Sequence, residues 1–496
     1  MIERVQLDQS SSKHLYIQLY SQLKELIERR KIKSHTKLPS IRKFAKELGV
    51  NNVTIVNAYN LLEEEELVYK KVGSGTYVAP IVELKDDIYL DEEVYIDEDT
   101  KFIEEKKRGS KEGKIINFAT AAPTPDLFPI KPFKRLLNKV LDRDGGYAFG
   151  YQKSQGYSPL RKSISQYIGK CQIEASIDEI QIISGAQQGI DILAKTFLDY
   201  GDKVFVERPT YPGAISVFKS RHADIREVPI RKDGIDLDLL EEELEKEKPK
   251  FLYLMPNFQN PTGYSYSQEK KERILKLAEE YDLLIIEDDC LSDLNYGVGY
   301  GENKFLALKA MDKDDRVIYI KSFSKIFMPG LRLAFLIIPE RYFDDILLSK
   351  YMSDIFTDGL VQRVLDLYFR EEFWEDQINK LKQTYQKRYE VMVVALNKYL
   401  PQEVKFITPQ GGLNLWLELP QGLTVKKLYD KAFAAGVNIA PGTVFYYTQP
   451  QEDKVRLSIA AVTEEEIKEG IKRLGKIISK ELSNNKDWDN SWMPMV

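Results

Sequence analysis

Six short apolar runs separated by helical stretches dominate the sequence from about residue 115 onward. They are EIQIISG, KVFVERP, FLYLMP, LLIIEDD, RVIYIKSFS and LRLAFLII. Apolar runs of this length, bounded by turn residues, are typical of strands that are buried on both faces. Their alternation with helical patterns indicates a mostly parallel sheet with helices on both faces, so the sequence predicts an α/β fold for this region.

The chain of 496 residues is too long for one hydrophobic core, which seldom grows past roughly 250–300 residues. A segment with 7 basic and 12 acidic side chains, residues 82–114, lacks sustained periodicity and predicts a linker. We therefore divide the chain into a head (1–80), an acidic linker (81–114), a body (115–480) and a tail (481–496) to which the sequence assigns no structure.

The composition excludes several classes of protein. The sequence has no apolar stretch of about 18 residues, so we expect no membrane span, and its N-terminal residues lack the apolar core of a secretory signal. Two cysteines, Cys171 and Cys290, and three histidines are too few for a disulfide scaffold or a typical zinc centre. We expect a cytoplasmic protein without a metal site.

Charge is distributed unevenly along the chain. The head has 13 basic and 9 acidic side chains, a net charge of +4, whereas the linker and body are acidic. This asymmetry predicts that nucleic acid, if bound, is bound by the head. An ordinary solvated surface is the alternative.

Three helical patterns and a hairpin pattern fill residues 12–80. The helical patterns are LYIQLYSQLKELIERR, LPSIRKFAKELGV and NNVTIVNAYNLLEEEEL, and LVYKKVGSGTYVAP predicts the hairpin. Ser40 is a natural N-cap and Gly49 a natural helix stop. Ala45, Gly49 and Ile55 have the spacing of a helix-turn-helix, where a small residue, a turn glycine and an aliphatic residue allow two helices to pack closely.

On these motifs the head resembles the GntR winged-helix family over nearly all of residues 12–79. The resemblance implies that the second helix begins at a DNA contact, that the third helix enters the major groove and that the hairpin reaches a phosphate or the minor groove. The residues implied are Arg42, then Asn51, Asn52, Thr54 and Asn57, then Lys70, Lys71, Gly73 and Gly75. Merely solvated side chains are the alternative. Because one head would bind weakly, we expect a dimer on two half-sites.

The head departs from the family at one point. Members usually carry Ser-Arg where this chain has Asn51-Asn52. Asparagine can still pair with adenine or a phosphate, but the loss of an arginine would lower the salt dependence of binding by about one charge.

The motif SFSKIFMPGLRLAF contains a lysine that follows an apolar run, lies among serines and precedes an arginine by seven residues. A lysine that forms a Schiff base needs a fixed position beside groups that hold the cofactor phosphate. Lys325 is therefore the candidate for an internal aldimine with pyridoxal 5'-phosphate (PLP), and Ser322, Ser324 and Arg332 are candidates for the phosphate. A solvated lysine is the alternative.

Two further motifs follow apolar runs. In LLIIEDDC, Asp288 would keep a pyridine nitrogen protonated; a helix-capping pair is the alternative. In MPNFQNPTG, Asn260 would direct its amide toward a ring hydroxyl, although the motif also forms a turn.

Three motifs complete the predicted pocket. In IISGAQQGIDIL, a helix that starts at Gly185, Ala186 and Gln187 would bind phosphate through its backbone N–H groups. In VERPTYPGA, Tyr211 would stack on the ring, with an ordinary core or surface tyrosine as the alternative. In KVRLSIAAV, Arg456 lies in an apolar strand and would pair with a ligand carboxylate; an internal salt bridge is the alternative.

These six motifs, in this order, resemble the fold-type I aminotransferases from about residue 115 to residue 480. The resemblance implies PLP, a large cofactor domain, a smaller α+β domain built from both ends of this region, and a homodimer in which Tyr151 reaches the partner subunit's phosphate. Family members usually carry a tyrosine two or three residues after the aspartate, where this chain has Cys290 and Leu291. This difference argues against efficient turnover.

A GntR head joined to an aminotransferase-like body is the arrangement of the MocR subfamily of GntR transcriptional regulators, which this chain resembles apart from its tail. The resemblance implies a PLP-dependent regulator that binds operator DNA and senses an amino acid, an amine or PLP itself through Lys325. An aminotransferase with a DNA-binding head is the main alternative. A repressor whose body has lost PLP and only dimerises is the other.

Overall fold

The computed structural model describes residues 5, 7–8, 13–28, 31–32, 35–65, 67–71, 74–79, 115–296, 305–450 and 453–490. The chain forms two compact units, Met1–Val94 and Tyr95–Val496. The predicted linker, the wing residue Gly73 and the last six residues of the tail lie outside the described residues.

The head is a winged helix, as predicted. Its elements are α1 (Leu15–Glu28), α2 (Ile41–Leu48), α3 (Asn52–Glu64), β1 (Val68–Lys71) and β2 (Gly75–Val78). Helix α2 begins directly after Ser40 and ends at Gly49, which has a φ of 64° and donates its N–H to the carbonyl of Ala45. Apolar side chains of the three helices and the hairpin share one core, which includes Leu19, Phe44, Ile55, Leu62 and Val78.

The body alternates helices and strands. Its helices are α4 (Ile130–Asp144), α5 (Ser158–Gly169), α6 (Ala186–Phe197), α7 (Pro212–Ser220), α8 (Leu237–Lys246), α9 (Gln268–Glu280), α10 (Leu308–Met311), α11 (Phe343–Asp354), α12 (Gly359–Arg370), α13 (Phe373–Tyr399), α14 (Val425–Ala434) and α15 (Glu464–Asn490). Its strands are β3 (Ile116–Asn117), β4 (Ile180–Ile183), β5 (Lys203–Arg208), β6 (Asp224–Arg231), β7 (Gly234–Ile235), β8 (Phe251–Leu254), β9 (Ile285–Asp289), β10 (Val317–Ser322), β11 (Ala334–Ile337), β12 (Lys405–Phe406), β13 (Asn414–Glu418), β14 (Val437–Asn438), β15 (Ala440–Pro441) and β16 (Lys454–Ser458).

Each of the six apolar runs forms a strand of one large sheet, with the order β4-β11-β10-β9-β8-β5-β6-β7. Strand β11 is antiparallel to both of its neighbours, and the strands from β10 to β6 are parallel. Strand side chains alternate between two cores: Val204 and Val206 pack with α6 and α7 on one face, and Phe205 packs with α8 and α9 on the other. The carboxyl ends of β4, β5, β8, β9 and β10 therefore lie along one edge, where ligands bind in sheets of this type.

A smaller α+β domain is built from both ends of the body. Its antiparallel sheet has the order β12-β13-β16-β15, and β3 pairs with β14, which joins the first body residues to residues 437–438. Helix α15 runs past the predicted boundary at residue 480. Glu481 is buried and forms ion pairs with Lys427 (2.6 Å) and Lys431 of α14, so this part of the predicted tail packs against the body. None of the described helices is long and apolar enough to cross a membrane.

Candidate cofactor pocket and DNA interface

The large sheet brings the predicted cofactor residues to the same edge. Gly185 follows β4, Tyr211 follows β5, Asn260 follows β8, Asp288 lies at the end of β9, and Ser322 ends β10, three residues before Lys325. The order of parallel strands makes neighbours of residues that are far apart in the sequence. The candidate pocket is therefore a product of the sheet topology.

Asp288 is 4% exposed and has two differently placed oxygens. The Tyr253 hydroxyl donates a 2.6 Å hydrogen bond to Oδ2, whereas Oδ1 is buried and accepts no hydrogen bond from the described residues. Burial raises the pKa of Asp288 to about 6, although the bond from Tyr253 opposes this shift. A protonated pyridine nitrogen would supply the donor that Oδ1 lacks, so this carboxyl fits the PLP ring.

A helix start and a guanidinium lie together after the carboxyl end of β4. Gly185 has a φ of 97°, and a Cβ added to it would lie 2.4 Å from Nη2 of Arg332. The guanidinium of Arg332 lies 3.5 Å from both the Ser324 hydroxyl and the Ser184 carbonyl. Ser322 accepts the N–H of Ser324 at 3.2 Å and so shapes this loop. A cation beside the free N–H groups at the start of α6, where Ala186 is the first residue, suits a phosphate.

Tyr211 and Gln187 pack together beside this helix start. A Cβ on Gly213 would lie 2.5 Å from ring carbons of Tyr211 and 2.4 Å from Oε1 of Gln187, so the glycine permits the close approach. The side-chain amide of Gln187 donates to the carbonyl of Gly213 at 3.0 Å. The predicted phosphate contact of Gln187 therefore concerns its backbone N–H and stays a prediction.

Lys325 is half-buried, and Cys290 lies within electrostatic reach of both Lys325 and Asp288. Burial raises the pKa of the Cys290 thiol, Asp288 raises it further, and Lys325 lowers it. Leu291 is 2% exposed and belongs to the main core. The two positions where aminotransferases usually carry a tyrosine thus provide a thiol and a core side chain.

Arg456 is completely buried in β16. It donates to Oδ1 of Asn260 at 3.0 Å and to the carbonyl of Ala119, and its guanidinium lies 5.0 Å from the ring centre of Phe445. The bond to Asn260 joins the residue predicted to bind a carboxylate to the residue predicted to contact the ring hydroxyl, so the two lie in one pocket.

Tyr151 lies on the surface of the body. Its side chain is 89% exposed and packs edge to face against Phe356, with ring centres 5.6 Å apart. Other large apolar side chains of the same region and of α11 are also exposed: Tyr147, Phe149, Leu348, Tyr351 and Met352.

Several polar residues that support the candidate pocket were missed by the sequence analysis. Glu207 accepts hydrogen bonds from Tyr266 (2.7 Å) and from Gln259 (3.1 Å), the residue before Asn260. Polar residues inside apolar runs were the available signal, because a buried polar group requires a partner.

A second group that was missed faces the other side of β9. Asp289 accepts the hydroxyl of Tyr319 at 2.6 Å and lies 3.3 Å from Lys321, which also lies 2.6 Å from Asp293. Burial raises the pKa of Asp289, but Lys321 and hydrogen bonds from Ser292 and Tyr319 lower it below its ordinary value. These bonds fix the loop that follows Asp288.

In the head, Arg42, Asn52 and Asn57 are exposed and Thr54 is half-buried. Asn51 is also exposed, but its side-chain oxygen accepts the N–H of Val53 at 3.1 Å and caps α3. The cap uses one of the two lone pairs of this oxygen and fixes the orientation of the side chain, and the predicted DNA contact of Asn51 stays a prediction.

The two predicted wing lysines point in different directions. Lys70 donates to Asn60 at 3.0 Å and forms an ion pair with Glu63 at 2.5 Å, both on α3. Lys71 lies over the rings of Tyr69 and Tyr77 on the other face of the hairpin, at 6.0 and 5.9 Å. Gly75 begins β2 beside Lys37.

Comparison with known proteins agrees with this two-part architecture. Residues 114–474 match the family "Aminotransferase class I and II", and residues 15–78 match "Bacterial regulatory proteins, gntR family". The chain belongs to the class I and II aminotransferase family. Within this family, its GntR head gives it the MocR-type arrangement, and PLP is the cofactor of the family.

Individual relatives divide into two groups. The chain is 29% identical to an uncharacterized HTH-type transcriptional regulator, YdfD of Bacillus subtilis, over 95% of this chain and 97% of that protein. It is 26% identical to the probable rhizopine catabolism regulatory protein MocR of Rhizobium meliloti, over 94% of each. The crystal structure of Pyrococcus horikoshii kynurenine aminotransferase matches with a TM-score of 0.72 and 32% identity, over 78% of this chain and 95% of that one. The regulators therefore match head and body together.

Proposed function

We infer that this MocR-type, PLP-dependent DNA-binding regulator senses an amino compound that carries a carboxylate. The observation that carries this proposal is the hydrogen bond from Arg456 to Asn260. This bond supports the proposal because it joins a completely buried guanidinium to a residue of the predicted cofactor pocket. A guanidinium can bind a ligand carboxylate through two parallel hydrogen bonds.

The other pocket residues have complementary roles in the proposal. Lys325 would provide the amine that holds the cofactor. Asp288 holds a proton at the ring nitrogen through Oδ1, and Arg332 with the start of α6 binds the phosphate. PLP, when bound, supplies a ring that withdraws electrons from an attached amino group.

The regulatory output requires the ligand to bind two states of the protein differently. We propose that exchange of the amine at Lys325 changes the closure of the body, and that this changes the spacing of two heads on two half-sites. Exposed apolar side chains of residues 147–151 and of α11, including Met352 at 79% exposure, support pairing with a second copy. The partner's phosphate would then be within reach of Tyr151.

The alternative function is amino transfer from an amino acid to a 2-oxo acid. It is favoured by the presence of Lys325, Asp288 and Arg456 in one chain, and opposed by Cys290 and Leu291. Sustained turnover of about 1 per second or more would establish the enzyme. Transfer that stops after one equivalent would favour the sensor.

The first experiment is an absorbance spectrum of the purified full-length protein before and after borohydride. A band between about 410 and 430 nm, lost on reduction with a covalent label at Lys325, is expected. Lys325→Ala should remove the band, while Lys313→Ala, at an exposed lysine, should keep it. If the wild-type protein shows no band even with added PLP, the body is a dimerisation domain or binds another ligand.

A further inference from the structure

Val53 has an unusual position for an apolar side chain. It is 59% exposed, the highest value for a large apolar side chain among the described head residues. By contrast, the large apolar side chains of α3 that face the core, such as Ile55 and Leu62, are completely buried. Val53 lies in the first turn of α3, the helix that follows the Gly49 turn and occupies the recognition position of a helix-turn-helix.

Helical spacing places Val53 beside an amide. Val53 and Asn57 are four residues apart in α3 and therefore lie on the same face, and both are exposed. The Asn51 cap accepts the backbone N–H of Val53 at 3.1 Å, which fixes the backbone from which this side chain projects. The outward face of α3 thus presents an apolar group one turn before a carboxamide.

Val53 and Asn57 together are complementary to the chemical groups that A·T base pairs present in the major groove. Adenine presents an acceptor and a donor to an asparagine amide, and thymine presents a C5-methyl group to apolar side chains. We propose that Val53 contacts a thymine methyl in each operator half-site, beside an A·T pair recognised by Asn57. The proposal rests on DNA binding by the head and adds a base preference to it.

The test removes single methyl groups from DNA. A preferred duplex is first selected from a random library with the full-length wild-type protein, and each thymine is then replaced by deoxyuridine, which lacks only the methyl. At one thymine position per half-site, replacement is expected to weaken binding by about fourfold. This factor corresponds to the free energy of burying one methyl group. Replacement at the remaining thymines should leave the affinity within about twofold.

Variants of α3 test whether the thymine methyl group contacts the side chain of Val53. Val53→Ala should weaken binding to the thymine duplex by a similar factor and abolish its discrimination against deoxyuridine at that position. Val56→Ala, a half-buried valine in the same helix, should keep the discrimination. If Val53→Ala folds poorly, the isosteric Val53→Thr, which keeps one methyl, should reduce the discrimination without a change in fold.

The outcomes separate this proposal from DNA binding itself. Failure of the wild-type protein to enrich any duplex would overturn DNA binding, and the methyl contact with it. A selected duplex whose affinity does not change at any deoxyuridine position would overturn only the methyl contact. So would discrimination that persists in Val53→Ala.

Discussion

The hydroxyl of Tyr253 donates a 2.6 Å hydrogen bond to Oδ2 of Asp288, so the two oxygens of this carboxyl have different surroundings. Oδ2 is held by strand β8, while Oδ1 is buried and accepts no hydrogen bond from the described residues. The bond also favours the ionised carboxylate against the effect of burial. Tyr253 is therefore a positioning residue for the proposed contact with the ring nitrogen.

Tyr253→Phe should weaken PLP binding because it removes this bond and raises the pKa of Asp288 further above its ordinary value. We expect a loss of about tenfold at pH 7, the scale of one hydrogen bond to a charged group. An acid whose pKa is raised loses its charge at higher pH, so the loss should grow toward pH 6 and shrink above pH 8. PLP titrations followed by absorbance across this range measure both effects.

The matched control is Tyr319→Phe. Tyr319 donates an equally short bond of 2.6 Å to Asp289, whose side chain faces the other side of β9. The control should leave the pH dependence of PLP binding unchanged. Equal effects of the two variants would show that Tyr253 acts only through stability.

The two wing lysines, Lys70 and Lys71, should differ in their contribution to DNA binding. Lys71→Ala should weaken operator binding and lower the salt slope by about 1, since one phosphate contact is lost. Lys70→Ala should have little effect, because its amine is already paired with Glu63 and Asn60. Affinities measured at several salt concentrations distinguish the two, and a larger loss for Lys70→Ala would contradict the assignment.

Helices and strands could be predicted where the sequence signal lies within a single segment. Gly49 ends α2, the six apolar runs form strands, and the acids of LLIIEDD end β9, because length, periodicity and turn residues are properties of one segment. Partners across strands were not predictable, since the Tyr253–Asp288 bond depends on the register of β8 against β9. For the same reason the sequence could not show that Asn51 is a cap or that Lys70 turns toward α3.

Arg42→Ala tests the predicted contact at the start of α2. Operator affinity at fixed salt should fall by about tenfold, and the salt slope should decrease by about 1, because one phosphate contact is lost. Lys43→Ala is the neighbouring control, since its amine lies 3.9 Å from Glu47 of the same helix. Unchanged affinity for Arg42→Ala would exclude this residue from the interface.

Glu207 connects pH to the stability of the loop that carries Asn260. It is completely buried, and burial raises the pKa of its carboxyl to about 7, although hydrogen bonds from Tyr266, Gln259 and the N–H of Met255 oppose the shift. In the unfolded chain this carboxyl ionises near its ordinary pKa, about two units lower. Ionisation of Glu207 therefore costs folding free energy, and stability should decrease as the pH rises from about 5 to 7.

Glu207→Gln should remove roughly 1–3 kcal/mol of that decrease, because its amide stays neutral and can donate to the Tyr266 oxygen in place of Oε1. Chemical denaturation of the full-length protein at pH 5, 6, 7 and 8 measures the slope. Asp282→Asn is the control, at a carboxyl whose pKa is shifted in the opposite direction: Arg316 and Lys248 lower the pKa of Asp282 to about 2. That variant should shift stability equally at all four pH values, because Asp282 remains ionised throughout. Part of the wild-type slope should remain in Glu207→Gln, since burial also raises the pKa of Asp288, whereas retention of the full slope would exclude a contribution from Glu207.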